Sequence, residues 1–552
     1  MKTETPNKSW RQYEAGRSWK RRIGLYSTVR ENERFYRGDQ WRGGAGLPHP
    51  VFNVVRRITD YLISTVAMGD VKITYSDENL PFAVSSRDAA AISEGVELLT
   101  RNAAYRWDHD RLSSLVYRLL TDAALTGDGF VYVWWDPDSP GGNGWQGDVV
   151  SEGIDSVNVF PADVTNPDIQ SQDYIIISGK APVAALKREA KLAGVSESDV
   201  SKIRPDSELS GAGLSLSVSG LGGGTSAGEL GDILPEYEPE EAPATYLIKF
   251  TKENGHVVFE KSVRNLVIRR VATPCTLYPI SRFSWYSAKD CFHGVAPVTS
   301  MIENQKYINR AYAMVMKHMS DTAFSKVIYD RTKIPEWTNE VGAAIGAVGG
   351  GNLSDSVHVI EPGKLEDNYL DLIDSAVRST KELAGATETA LGNIDPTNTS
   401  AILALRETSR QALERVRGEL YSCLEHMAAI WADMLLAYCP DGRPLRTPDG
   451  AGKLMTSVLR RALLSVKIDV SDSSRYSSSA TLSLLDTLLK DGHITFREYL
   501  ERLPQGLLPD RLGLLDSRRQ SGLGDELPVE DGTDVNVTEE NRPGGKEAGI
   551  RG

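Results

Sequence analysis

The stretch from Ser284 to Tyr438 constrains the rest of the chain. Its hydrophobic spacing predicts a helix, a short β-like insertion, a second helix, a polar loop and then one very long helix. The first helix, about Ala296 to Phe324, places Met301, Gln305, Ile308, Tyr312, Val315 and Met319 on one seam, because steps of four and three keep returning to the same face. The second, about Asn368 to Ala386, has Leu370, Ile373, Val377 and Ala384 on one side. Asp371, Asp374 and Arg378 lie on the other, with Asp374 and Arg378 spaced to pair. The third opens after Thr399–Ser400, which offer a cap, and runs to Cys439–Pro440. Its stripe is Ile402, Leu405, Ser409, Ala412, Val416, Leu420, Cys423, Met427, Ile430 and Met434. Such a helix far exceeds the usual globular length, and Gly418 is the expected bend within it. Three amphipathic helices joined this way carry more apolar face than one protomer covers. A ring of copies would cover it.

The segments on either side predict an α+β fold rich in helix. Residues 8–37 read as a basic helix, with Lys8, Arg11, Arg17, Lys20, Arg21 and Arg22 among Trp10, Tyr13, Trp19 and Tyr26. It is either a nucleic-acid or partner contact or a solvated peripheral helix, and the second is favoured because charge runs are usually solvated. A helix over Val51–Ala67 leads to a strand at Val71–Tyr75, and a helical block over Ser85–Leu125 ends at Gly127-Asp128-Gly129. Phe130–Trp135 is a strong strand of β-branched and aromatic residues. Further strands are expected at Ser156–Phe160, Tyr174–Ser178, Tyr246–Thr251, Val257–Phe259 and Leu266–Val271. Residues 205–243 change to Gly, Ser, Pro and Glu and read as a flexible insertion. After Pro440 come a turn-rich patch, a strand at Ser465–Val470 and two short helices, Thr481–Lys490 and Thr495–Leu503; the tail from Ser517 lacks aromatics and reads as disordered.

Charge and motifs exclude several functions. The net charge is -13, so an electrostatic grip on DNA, which needs Lys and Arg against phosphates, is not expected. DNA remains possible as a cargo that passes without sticking. The cysteines Cys275, Cys291, Cys423 and Cys439 show no metal-ligand spacing, and Cys423 falls on the apolar stripe. No apolar run opens the chain as a signal peptide or is long enough to span a bilayer, which predicts a cytosolic product. Gly450-Ala451-Gly452-Lys453 lacks the upstream glycine of a phosphate-binding loop and is followed by Leu454, so a motor ATPase is not indicated. Neither a catalytic residue, a metal site nor a cofactor motif emerges, and an enzyme is not expected.

Several segments, in order, resemble the portal proteins of tailed bacteriophages. These are Phe35–Trp41 followed by a helix with Asn53, Asp122–Asp136, and Val157–Pro167. His293-Gly294-Val295-Ala296-Pro297 with Gln305 and Asn309, Thr399–Leu403, and Tyr476–Pro504 complete the set. The resemblance implies a ring, usually of twelve subunits, at one capsid vertex, assembled in the host cytoplasm and carried in the virion. Implied partners are the terminase large subunit, the major capsid and scaffolding proteins, the head-tail connector proteins, and double-stranded DNA passing non-specifically; no membrane is implied. The fold it implies has an α/β wing (1–283), a two-helix stem (284–324 and 363–386) and a small clip (325–362). A tunnel loop (387–399), a long kinked helix (400–440), a wing return strand (441–474) and crown helices (475–516) follow, before the tail (517–552). Clip strands Lys326–Tyr329 and Val357–Ile360 would pair between neighbours.

Mapped onto this chain, the DNA-facing residues would be Gly392, Asn393, Ile394, Asp395, Thr397, Asn398 and Thr399 of the loop. That loop has no Lys or Arg, which suits a surface that moving DNA must not adhere to. Arg378 and Lys381 would form a shallow basic ring, unless Arg378 pairs with Asp374 and Lys381 with neighbouring carboxylates. The alternatives are another head-completion, adaptor or capsid protein, and a DNA-packaging enzyme.

Overall fold

The computed structural model describes residues 6–43, 46–67, 70–77, 86–142, 144–206, 242–322, 326–338, 340, 345–349, 352, 356–360, 368–386, 413–462, 464–471, 485–490, 493–494 and 499. They divide into a large unit up to Asp469 and a second from Val470 onward. The fold is mixed, with helices set against antiparallel sheets.

In the large unit, helices α1 (Lys8–Arg22) and α2 (Leu25–Arg37) replace the single helix expected over 8–37. Gly24 breaks the run in the left-handed conformation, which glycine adopts without steric cost. Nor is α1 a solvated peripheral helix. Trp10 and Tyr13 are buried against Phe160, Ile176 and Leu247, and Lys20 is fully buried. Helix α3 (Val54–Ala67) leads to β1 (Asp70–Asp77), and the expected block over 85–125 is again two helices, α4 (Ser86–His109) and α5 (Leu112–Thr126).

Strand β2 (Asp128–Gly142) begins at once and pairs with β3 (Trp145–Ile154) on one side and β9 (Ile280–Ser284) on the other. The segment expected as a strand over 156–160 opens with a 3-10 turn, Ser156–Asn158, held by the Asp155 side chain, and only β4 (Val159–Pro161) is extended. A five-stranded antiparallel sheet follows in the order β4, β5 (Tyr174–Pro182), β6 (Pro243–Glu253), β7 (His256–Val263), β8 (Leu266–Ala272). Short helices α6 (Val183–Leu192) and α7 (Glu197–Val200) close its end around Val183, Leu186 and Ile268.

Helix α8 (Pro297–Thr322), hairpin β10–β11 (Lys326–Tyr329 and Val357–Ile360) and helix α9 (Asn368–Leu383) occupy the predicted places. The two strands expected in the clip pair with each other inside one chain, Lys326 opposite Ile360 and Tyr329 opposite Val357, and not between neighbours as the resemblance implied. Helix α9 stops because Gly385 turns left-handed and returns the Ala386 N–H to the Lys381 carbonyl at 2.9 Å.

Helix α10 (Glu414–Tyr438) occupies the described residues of the stretch expected as one long helix from Thr399–Ser400, and begins after Leu413. Val416, Leu420, Cys423, Met427, Ile430 and Met434 are all buried, as the stripe predicts. Leu424, Ala428, Trp431 and Leu435 are buried too, so the apolar face is broad and packs into the core, while Glu414, Arg415 and Ser422 lie exposed on the opposite side. Its polar contacts pin it there. Ser281 Oγ donates to the Cys423 carbonyl at 2.6 Å, Tyr75 Oη to Ala428 at 2.8 Å, and Trp431 Nε1 to Ser151 at 2.9 Å. The turn-rich patch after Pro440 proves to be a hairpin, β12 (Arg443–Thr447) with β13 (Gly450–Leu454). A short α11 (Thr456–Leu459) precedes β14 (Leu464–Ser471), which pairs with β1. In the second unit residues 485–490 are helical, and Tyr499 donates to Asp486 at 2.7 Å.

Candidate functional site

Two segments far apart in sequence meet at the root of α8. The Asp128 carboxylate accepts from His293 Nδ1 at 2.8 Å, from Arg282 at 2.8 Å and from the Gly294 N–H at 3.0 Å to each oxygen. Gly127 stands against Gly294. It has φ +99°, and a Cβ there would collide with the Gly294 carbonyl; a Cβ on Gly294 would collide with Ser284 Oγ. The backbones therefore approach as only two glycines allow, and Trp285 N–H donates to the Gly127 carbonyl at 3.0 Å.

The electrostatics are those of a dry brace. Burial raises the Asp128 pKa, but the Arg282 guanidinium, the His293 hydrogen bond and the Gly294 N–H outweigh it and hold the carboxyl below its usual range. Burial, together with the nearby Lys20 cation, brings His293 down to about 4 against the pull of Asp128. At neutral pH a neutral imidazole thus donates Nδ1–H to a carboxylate. An Asp–His pair invites a catalytic reading, with Ser156 Oγ 3.5 Å from the same Nδ1. The geometry refuses it. Both residues are buried, Nε2 has no hydrogen-bond partner, and Trp19 stacks on the ring. A base whose free nitrogen faces a packed interior cannot reach a substrate proton. Among the described residues no group of His, Cys, Asp or Glu is arranged to hold a metal.

A second network ties α8 to the amino-terminal helices. Gln305 Oε1 accepts from Val54 N–H at 3.0 Å at the start of α3, and its Nε2 donates to the Phe52 carbonyl and to Asn309, both at 2.8 Å. Asn309 passes the chain to Gln40 at 2.7 Å, and Gln40 donates to the Phe35 carbonyl at 2.9 Å. Asn53 donates to the Tyr36 carbonyl at 3.0 Å. Gln40, Gln305 and Asn309 are thus drawn into one network, with Asn53 bonded to Tyr36, and Asp128 and His293 into another. Sequence reading misread Lys20. The ammonium donates to the Ser156, Val157 and Val159 carbonyls and lies over the Phe160 ring, and burial lowers its pKa to about 7.

Beyond the root, α8 and α9 pack on each other through Ile308, Ala311, Val315 and Ile373, with Tyr312, Ala376 and Val377 at the margin. Less of the expected seam is covered than its spacing suggests. Met319 on α8 and Leu370 on α9 are exposed. Tyr369, Leu372 and Leu383 of α9 are also uncovered, at 52%, 51% and 82%, and so is Met314 of α8 at 58%. On a helix, Tyr369, Leu372, Ala376 and Leu383 share a flank beside the seam of Ile373, Val377, Thr380 and Ala384. Helix α9 thus carries two apolar seams, one packed on α8 and one open.

Of the predicted channel residues, Arg378 is exposed on α9 and Lys381 is half-buried. No ion pair joins Arg378 to Asp374 among the described residues, so the expected i, i+4 pairing is not formed. Gly418 lies in the second turn of α10, where an added Cβ would meet open space. Gly392, Asn393, Ile394, Asp395, Thr397, Asn398 and Thr399 lie outside the described residues, as do most of the 205–243 insertion, the start of the long helix and the tail. Among the described residues no helix is long and apolar enough to cross a membrane. No family model and no curated protein matches the chain.

Proposed function

We propose that this chain is a portal-type subunit: copies assemble into a ring at a capsid vertex, and double-stranded DNA is packaged and ejected through its centre. The observation that carries the reading is the open second seam of α9. A helix pair that uses one seam internally and leaves Tyr369, Leu372 and Leu383 in water is built for a neighbour on that side, since exposed contiguous apolar surface marks an interaction site. A heterologous contact of this kind, repeated, closes into a ring. Helix α8 is braced at its root by two buried polar networks, as a conduit wall under load needs to be. The opposite flank of α9 presents Asp371, Asp374 and Arg378, a mixed and mostly acidic surface that would not hold phosphates tightly. In this reading the terminase large subunit docks on the ring, scaffolding and capsid proteins surround it, connector proteins seal it, and the subunit itself performs no catalysis. Residues 392–399 would line the passage and Gly418 would let the long helix bend.

Negative-stain electron microscopy of the purified full chain tests the reading. End-on averages showing rings with an open centre and about twelvefold symmetry are expected. A monodisperse monomer with ATPase or nuclease activity would refute it and favour a packaging enzyme.

A further inference from the structure

Helix α1 has two unlike faces. Its inner face, Ser9, Trp10, Tyr13 and Lys20, is buried, and Asn7 caps its start by accepting from the Trp10 N–H at 2.7 Å. Its outer face is Lys8, Arg11, Ala15, Ser18 and Arg22, all exposed and spaced by three and four so that they stand in one row. Arg21, also exposed, flanks Arg22. From Lys8 to Arg22 the row is about 21 Å long. Between its charged ends it carries the small side chains Ala15 and Ser18, so the surface is low as well as cationic.

Three features set this row apart from an ordinary solvated face. Among the described residues none of Lys8, Arg11, Arg21 and Arg22 is in an ion pair. The single acid of α1, Glu14, accepts from Trp10 Nε1 at 2.8 Å, and the acids of the elements packed on α1 face cations of their own. Glu31 holds Lys306, Glu33 faces Arg37, and Glu260 accepts from Ser9 and faces Arg270. The helix dipole accounts for Arg21 and Arg22 in the last turn, but it disfavours Lys8 in the first, where no acid offsets it. Positive charge also continues off the helix. Lys249 of β6 donates to Gln12 at 2.8 Å, and burial, with Lys8 and Arg270 pressing on it against the pull of Glu260, lowers its pKa.

Such a row suits a polyanion, and its side chains discriminate among polyanions. A protein ligand is held by apolar anchors at the centre of its footprint, and an anionic membrane takes up large apolar side chains beside the cations. The row has neither, and the exposed Ile23 lies beyond its end. A phosphate backbone needs cations at intervals, and the planar fork of Arg matches phosphate oxygens.

We propose that the outer row of α1, Lys8, Arg11 and Arg22 with Arg21, is a sequence-independent contact for the phosphate backbone of double-stranded DNA. The net charge of -13 repels DNA from the molecule at large, so the contact is local, and Trp10, Tyr13 and Lys20 fix it from beneath. One chain carries the whole row, so the contact does not depend on copies closing into a ring.

Fluorescence anisotropy of the full chain with a labelled DNA duplex of mixed sequence tests this. Four phosphate contacts give a slope of about -3.6 in log affinity against log salt, so binding should weaken about 150-fold between about 50 mM and about 200 mM salt. Arg11→Gln with Arg22→Gln should leave thermal unfolding unchanged and make the slope shallower by about 1.8. Lys8→Gln with Arg21→Gln should do the same, which guards against a defect peculiar to one pair. Arg188→Gln with Lys191→Gln on α6 changes the net charge equally and should keep the wild-type slope. Polyglutamate and phosphatidylserine vesicles, run alongside, should bind more weakly than the duplex. Wild type that does not bind the duplex at the lower salt overturns the proposal, as do α1 variants that keep the wild-type slope. An α6 variant that lowers the slope as much, or polyglutamate or vesicles that bind as tightly as DNA, overturns it too.

Discussion

The root and the outer length of α8 are parts of one helix under opposite regimes. At the root, Asp128 accepts from His293, Arg282 and Gly294, two glycine backbones touch, and Gln305 and Asn309 are buried with partners at Gln40, Phe52 and Val54. Further out, Met314 and Met319 face water and α9 leaves a whole seam open. The root is over-determined within one chain, whereas the outer part leaves large apolar side chains uncovered. In the proposed ring, stability is decided at the root and association at the flank, and the two should be separable by mutation.

The sharpest way to break that division is at the glycine contact. Gly127→Ala and Gly294→Ala each place a methyl group into backbone or a packed hydroxyl, and at Gly127 also at positive φ. We expect a loss of about 3–5 kcal/mol or failure to yield folded protein, read by urea denaturation and circular dichroism. Near-wild-type midpoints would mean the root is softer than its contacts imply. Next in size is Asp128→Asn, which leaves the Arg282 guanidinium buried without its charge partner and should cost about 3–5 kcal/mol. It should also change the acid limb. Asp128, with its lowered pKa, stabilises above its unfolded value of about 3.9, and that contribution is lost as pH falls through the folded value. A variant whose acid unfolding parallels wild type would show that Asp128 is not what acid disrupts. His293 contributes a separate loss as pH falls from about 6.5 to about 4, since protonation there favours the unfolded chain.

Sequence reading located the elements that rest on local periodicity and missed those that rest on distant partners. The α10 stripe from Val416 to Met434 was legible because a buried helix writes its face every three or four residues. Nothing in the stretch around Asp128 shows that its partner is His293, 165 residues away, and nothing in the basic run around Lys20 shows that one of its charges is enclosed by three carbonyls. Strand β9 was too short to be read alone and exists because β2 offers it an edge. Only the open α9 flank had a sequence signal that was passed over: Tyr369, Leu372, Ala376 and Leu383 recur at helical spacing beside the first seam.

At the flank the expected effects on the single chain are small. Leu383→Glu should change the unfolding free energy of the protomer by no more than about 0.5 kcal/mol while abolishing higher assemblies in sedimentation velocity. A large loss of protomer stability would place that seam in the chain's own core. Smallest of all is Gly418→Ala. The site is open, so the substitution should stabilise α10 by up to about 1 kcal/mol in thermal unfolding while lowering DNA packaging if the helix must bend there. Unchanged packaging would remove Gly418 as a hinge.

In the proposed ring, α9 presents an interface between copies. The most direct measurement is native mass spectrometry of the purified full chain beside Leu372→Glu over a wide range of concentration. Closed oligomers of about twelve subunits are expected for wild type and monomers of unchanged stability for the variant. Wild type that stays monomeric at every concentration, or a variant that assembles as wild type does, would contradict it.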